Sequence, residues 1–200
     1  MKTRILEKAS ELFLQFGVRS VTMDEIAREL GMSKKTLYVH FPNKKKLVKA
    51  TSYFVFDSII KGILSIQDKN LNPIEELYEI KKFAADNLKD EKSAPYHQLQ
   101  KHYPEIASKL IQEQQNLLEK SIMENLRRGI KAGLYRAEIP QDFISKVYLL
   151  GSMGIRQHDL FPKEEFSHSS LVEMHMEYHI RAIATSKGLQ ELEKQKTEKL

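Results

Sequence analysis

The sequence predicts an all-α protein, with a compact amino-terminal helix-turn-helix unit followed by a larger helical bundle. Three features carry that reading. Apolar side chains recur at the 3.6-residue helical period along most of the chain. No segment gives a strand signal. Proline or glycine stands at most of the expected helix edges. Two hundred residues are enough for one or two compact domains with a real core.

The first helix follows from Ile5, Leu6, Ala9, Leu12, Phe13 and Phe16, and it stops at Gly17. Thr22 and Glu25 open the second with the spacing of a capping box. In that motif the hydroxyl accepts from a free amide of the first turn, and the carboxylate reaches back to the cap residue's own N–H. Ile26, Ala27 and Leu30 then share one face. Gly31 stands where the chain must turn sharply, because glycine enters the left-handed region without a Cβ clash. Ser33 is placed to cap a third helix. Leu37 and Phe41, four apart, turn one stripe of it inward and leave Lys34, Lys35, Thr36, Tyr38 and His40 for the outer face. Pro42 ends this helix, and Asn43 can cap a fourth that starts near Lys44. Two short helices joined by a tight turn and followed by lysines form the layout of a helix-turn-helix that lays its second helix in the DNA major groove.

The rest of the chain reads as helix broken by proline and glycine. One helix is expected over residues 44–66. Asn72-Pro73 opens another that runs to about residue 88, since proline suits a first turn. A polar connection at 90–94 precedes a short helix at 96–102. Pro104 opens a long helix with Ile106, Leu110, Leu117, Leu118, Ile122 and Leu126 as its apolar side, ending near Gly133. Pro140 opens a helix to about residue 157, Phe161-Pro162 lies in a loop, and a last helix spans 167–186. Residues 187–200, rich in Lys, Glu and Gln, are expected as a frayed helix or tail. The predicted organisation is thus a helix-turn-helix domain at 1–47, a helical ligand-binding and dimerisation domain at 48–186, and a polar tail at 187–200, without internal repeats.

Charge is unevenly placed. Residues 1–50 hold eleven Lys/Arg and five Asp/Glu, a net +6, whereas the rest of the chain holds 21 and 22, a net −1. The positive excess therefore sits in the helix-turn-helix unit. Scattered lysines are ordinary solvated surface, but the Lys44–Lys46 cluster beside a capped recognition helix suits phosphate contact. The absence of cysteine excludes disulfides and cysteine-based metal or redox chemistry. Met1-Lys-Thr-Arg runs straight into an amphipathic helix, so no signal peptide is expected. The longest apolar runs, such as residues 147–150, fall far below the ~18 residues of a membrane span. These features suit a cytoplasmic protein.

Residues 1–50 resemble the DNA-binding domain of the tetracycline-repressor (TetR) family of bacterial regulators. The matching elements are Ala9-x-x-Leu12-Phe13-x-x-x-Gly17, Thr22-x-x-x-Ile26-Ala27, Gly31-Met-Ser33, Thr36-Leu37-Tyr38-x-His40-Phe41 and Asn43-Lys44-x-x-Leu47. The resemblance covers a quarter of the chain and implies a dimeric transcriptional regulator that binds double-stranded DNA at a palindromic operator, most simply a repressor released by a small-molecule effector. It places Thr22, Ser33, Lys34, Lys35, Thr36, Tyr38, His40 and Lys44 at the DNA. Lys34 and Lys35 can donate to guanine O6/N7 or to phosphate, and Thr36 can touch a thymine methyl or phosphate. Tyr38, His40 and Lys44 suit backbone phosphates, and Thr22, at a helix start, can meet another. Many family members carry an acidic residue just after the Lys44 position, where this chain has Lys45 and Lys46, a departure that favours non-specific affinity.

The resemblance also implies a small-molecule pocket among the middle helices and a homodimer formed by the last two long helices. Phe54, Phe83, Tyr96, Tyr103, Leu117 and Arg156 are the candidate ligand-binding residues, with Phe56 and Ile60 as further apolar candidates and His97, His102 and His158 as polar ones. Each apolar candidate serves equally as plain core. Val147, Leu150, Gly151 and Gly154, with Leu171, Met174, Tyr178, Ile180 and Ile183, supply interface material, or else an intramolecular core. The helix beginning at Lys44 joins the two predicted domains and is the natural lever for induction.

No catalytic constellation appears, and neither enzyme activity nor a cofactor is expected. His168, His175 and His179 share a helical stripe, a spacing that permits a metal, although histidines on such a helix are more often packing residues. Glu165-x-x-His168 is the only Glu-x-x-His pair, and a carboxylate-bridged di-iron bundle needs two, so no metal is expected. The competing readings are a regulator without a small-molecule inducer, controlled by abundance or a protein partner, and, more remotely, a helical enzyme.

Overall fold

The computed structural model describes residues 1–87, 94–155, 159–162 and 164–197. Among them lie ten α-helices and no strand: α1 (Lys2–Phe16), α2 (Met23–Glu29), α3 (Lys34–His40), α4 (Lys44–Gln67), α5 (Pro73–Asn87), α6 (Ala94–His102), α7 (Pro104–Lys131), α8 (Gln141–Gly154), α9 (His168–Ile183) and α10 (Ser186–Thr197). None is long and apolar enough to cross a membrane. The candidate ligand residues Arg156 and His158 lie outside the described residues, as does the side chain of Tyr96.

The chain divides into two compact units, Met1–Lys61 with Glu91–Glu113, and Gly62–Asp90 with Gln114–Leu200. This differs from the predicted boundary at residue 47. Phe56 of α4, Leu99 of α6, and Ile106, Ala107 and Leu110 of α7 are buried in the same core as Ile5, Phe13, Ile26 and Leu37. Burial of these distant apolar residues, rather than chain proximity, makes 94–113 part of the first unit. Phe16, which the helical period turns inward, is instead exposed at the end of α1, where Gly17 leaves the helix at φ 83°.

In the second unit α8 packs on α9, and α5, α9 and α10 pack on one another. Its core includes Ile74, Tyr78, Leu126, Tyr135, Met176, Ile180 and Leu192. A buried polar group ties α5 to α7. Glu76 pairs with Arg128. The Asn125 amide donates to the Pro73 carbonyl at 2.8 Å and to Glu76 at 3.0 Å, and the Tyr135 hydroxyl donates to Asn125 Oδ1 at 3.0 Å. Arg128 and the Asn125 amide both donate to the buried Glu76 carboxylate, which supplies the pairing that a buried acidic group needs.

The predicted tail is corrected by this packing. Residues 186–197 form α10, and Leu192 is completely buried. The last long helix stops at Ile183, because the segment after α7 takes over the backbone there. Arg136 N–H donates to Ile183 O, and Thr185 N–H to Leu134 O, both at 2.9 Å. The Thr185 hydroxyl then accepts from Gly188 N–H at 3.2 Å and caps α10. Arg181–Glu193 and Lys196–Glu177 contacts at 2.6 and 2.8 Å fasten α10 to α9. The Lys/Glu composition that suggested a tail supplies these pairs.

Candidate nucleic-acid interface

Both short helices of the amino-terminal unit are held at their starts by side chains. Glu25 N–H donates to Thr22 Oγ1 at 3.2 Å, and the Glu25 carboxylate accepts from Thr22 N–H at 2.7 Å and from the Thr22 hydroxyl at 2.9 Å. These bonds hold the Glu25 carboxyl below the usual carboxylate range. Gly31 makes the turn at φ 63°. Ser33 Oγ accepts from Thr36 N–H at 3.1 Å and lies 2.8 Å from the Thr36 hydroxyl. Beneath α3, Leu37 is fully buried and Phe41 nearly so, which fixes the helix by one face. Lys34, Lys35 and Tyr38 are exposed on the other, and Thr36 and His40 are half-buried. The hydroxyls of Thr22, Ser33 and Thr36 thus already serve the caps.

The lysines differ in what they touch. Lys34 Nζ lies 2.5 Å from an Asp24 carboxylate oxygen. Lys44, at the start of α4, donates to the Arg19 carbonyl at 2.9 Å, and partial burial lowers its pKa against the opposing field of Glu25. Because its partner is a neutral carbonyl, Lys44 keeps its charge for another anion. Lys45 Nζ instead lies 2.8 Å from Glu105 at the start of α7. Asn43 Oδ1 accepts from Lys46 N–H at 2.9 Å and caps α4. Local spacing points to the caps. It carries no sign of Asp24, Gln98 or Glu105, of which the last two lie 79 and 60 residues from their partners.

The candidate ligand residues fall in both units. Phe54 and Tyr103 are half-buried in the first, where Phe56 belongs to the core and Ile60 packs against it. Burial raises the Tyr103 pKa. Phe83 and Leu117 are half-buried in the second, and His97 and His102 are exposed. A surface depression of about 520 Å3 on α7 is lined by Asn116, Glu119, Lys120, Met123, Glu124 and Arg127, none of them among these candidates. Among the described residues no three His, Asp or Glu side chains are grouped to hold a metal. His175 and His179 flank the Tyr148 ring instead, at centroid distances of 4.8 and 4.5 Å.

The apolar residues of α8 and α9 divide between inside and outside. Ile180 and Ile183 are buried in the second core, and Leu171 is buried as well, so these three serve the monomer. Phe143, Val147 and Leu150 of α8 are exposed at spacings of four and three, with Met174 and Tyr178 of α9 also exposed. The largest values are 66% for Leu150 and 71% for Tyr178.

Residues 5–51 match the family described as bacterial regulatory proteins, tetR family. The chain is 31% identical over 158 residues to the uncharacterized HTH-type transcriptional regulator YuxN of Bacillus subtilis (strain 168), covering 72% of this chain and 52% of that protein. It is 33% identical over 79 residues to IcaR of Staphylococcus aureus (strain Newman), the HTH-type negative transcriptional regulator of the biofilm operon icaADBC, covering 40% of this chain and 42% of IcaR. The chain thus spans about half the length of the curated relatives it matches. Among solved structures, a transcriptional regulator from Cytophaga hutchinsonii ATCC 33406 superposes with TM-score 0.76 at 17% identity, over 92% of this chain and 98% of that one. A SmeT–triclosan complex superposes with TM-score 0.62 at 13% identity, over 92% of each chain. These two likenesses establish the shared all-helical fold.

Proposed function

We propose that this chain, which belongs to the tetR family of bacterial regulatory proteins, is a sequence-specific DNA-binding transcriptional regulator and not an enzyme. The observation that carries the reading is the doubly capped α2–α3 pair, anchored through buried Leu37, with Lys34, Lys35 and Tyr38 exposed on the other face of α3. In this reading Lys34 and Lys35 meet base edges or phosphate, and Thr36 a thymine methyl. Tyr38, His40 and Lys44 hold the backbone, and Thr22 and Ser33 border the contact.

The regulator acts as a homodimer, with the exposed apolar residues of α8 and α9 as the interface. A dimer places two recognition helices about 34–36 Å apart, one DNA turn, and so reads a palindrome. Repression relieved by a small molecule is the favoured mode. The effector would work by binding more tightly to a conformer whose recognition helices are wrongly spaced.

Selection of bound fragments from the source genome by purified protein at about 150 mM salt, where non-specific binding is weak, tests the reading. One palindromic motif is the expected result, and failure to recover any motif overturns it. Saturating effector should both raise thermal stability and release the operator. Unchanged operator affinity in the presence of a stabilising ligand removes induction.

A further inference from the structure

Glu105 stands where a phosphate-binding surface would least be expected to keep a carboxylate. It is the second residue of α7, directly after Pro104, and belongs to the unit that contains α2 and α3. Its Oε2 lies 2.8 Å from Lys45 Nζ, across 60 residues of sequence. Lys45 sits between Lys44 and Lys46 in the most basic run of the chain. The pairing lowers the Glu105 pKa, with Lys109 adding a smaller effect, so this carboxylate is charged at neutral pH.

The helix turn that carries Glu105 is anchored, while the side chains of Glu105 and Lys45 are both exposed. Ile106, Ala107 and Leu110, on the same turns of α7, are buried in the first core. The preceding helix, α6, is anchored there as well. Leu99 joins the core, and the Gln98 side chain fills the space beside Gly17 that a Cβ would occupy. Gln98 Oε1 also accepts from Arg19 N–H at 3.1 Å. The Arg19 carbonyl in turn holds Lys44. Residues 98–105 therefore reach the basic surface at two points, through an amide at the α1–α2 turn and through a carboxylate on Lys45.

Resting on the DNA-binding reading above, we propose that Glu105 is a specificity-determining residue that withholds Lys45 from the DNA backbone. A lysine whose charge is met by a neighbouring carboxylate, even in an exposed pair, presents less net positive charge to DNA and adds less to sequence-independent affinity. Lys44, held by a neutral carbonyl, makes the phosphate contact, while Lys45 stays paired. The device limits the non-specific binding that three consecutive lysines would otherwise produce. It leaves base-edge contacts from α3 to distinguish sites.

The test uses the full-length protein, a fluorescent mixed-sequence duplex and salt between about 50 and 200 mM. Glu105→Gln keeps the side-chain shape and removes the charge. It should tighten mixed-sequence binding roughly two- to five-fold per chain, the range expected for an exposed pair. It should also steepen the salt dependence by about one unit per chain. In a Lys45→Ala background the same substitution should give a clearly smaller gain, because only the repulsion of the unpaired carboxylate is then relieved. Lys45→Ala alone should leave the salt slope of the wild type unchanged.

Wild-type affinity and slope in Glu105→Gln would overturn the proposal. So would a gain of equal size in Lys45→Ala, because Glu105 would then act by general repulsion of DNA and not through Lys45. Thermal unfolding of each variant checks that the fold is intact. If neither wild type nor variants bind any duplex, the DNA-binding reading fails and takes this proposal with it. If wild type binds and Glu105→Gln behaves identically, this proposal alone fails.

Discussion

The imidazole of His175, on α9, occupies the position that a side chain at Gly151, on α8, would need. The ring is held there by its Nε2–H, which donates to the Tyr148 carbonyl at 3.1 Å, with Ser152 Oγ at 3.3 Å. It also stacks on Tyr148. The small residue at 151 thus serves contact between two helices of one chain. Gly151→Ala should force the ring out of this site and destabilise the second unit by about 1–3 kcal/mol, the usual range for overpacking. Denaturant unfolding of the variant checks this, and unchanged stability would mean that the ring relocates freely.

The outer residues of the same helices should decide association. Leu150 and Tyr178 are exposed in the monomer, and a symmetric interface would bury each against a second copy. Tyr178→Glu should dissociate the dimer at micromolar concentration by placing buried charge at the interface. Sedimentation of wild type and variant reads this directly, and a monomeric wild type would end the dimer reading.

Thr22 is a stability residue whatever DNA it meets. Its hydroxyl and amide close the capping box with Glu25. Thr22→Ala should cost about 1 kcal/mol of stability. Urea unfolding followed by helical circular dichroism measures it.

Lys44→Ala should weaken binding to all DNA sequences and lower the salt slope by roughly one unit per chain. The Arg19 carbonyl loses a partner in this variant, so stability can fall too. The salt slope separates the two effects, because a folding defect alone lowers the active fraction and leaves the slope unchanged.

The second unit should weaken in mild acid. His179 is pushed down from 6.5 to about 4, chiefly by burial, with His175 adding repulsion. Burial also lowers His175, against the Tyr148 hydrogen bond. The unfolded chain therefore takes up protons near pH 6.5 that the folded chain refuses until about pH 4. The stability from His179 is complete above pH 6.5 and is lost as pH falls through this window, in total roughly 3 kcal/mol. Melting temperatures between these limits should show a slope that His179→Leu reduces.

Much of the candidate interface was legible because its determinants are local. The Thr22–Glu25 box, the Gly31 turn, the Ser33 and Asn43 caps and the Leu37–Phe41 stripe each involve residues no more than four apart. The partners of Lys34, Lys44 and Lys45 lie 10, 25 and 60 residues away and left no local pattern. The ligand candidates were weaker for a related reason. An aromatic residue at helical spacing carries the same signal whether it lines a cavity or fills a core, and Phe56 joined the core.

The sequence by itself determined the all-helical class, the helix-turn-helix at its amino end and the concentration of positive charge there. Helix periodicity, capping and turn geometry act over three or four residues and need no distant partner. Tertiary structure alone decided that residues 98–110 pack with α1–α3 and that 186–197 form a packed helix. It also turned Ile180 inward and Tyr178 outward on one apolar helix. These outcomes depend on which distant surfaces exclude water together, and that contact exists only once the chain has folded.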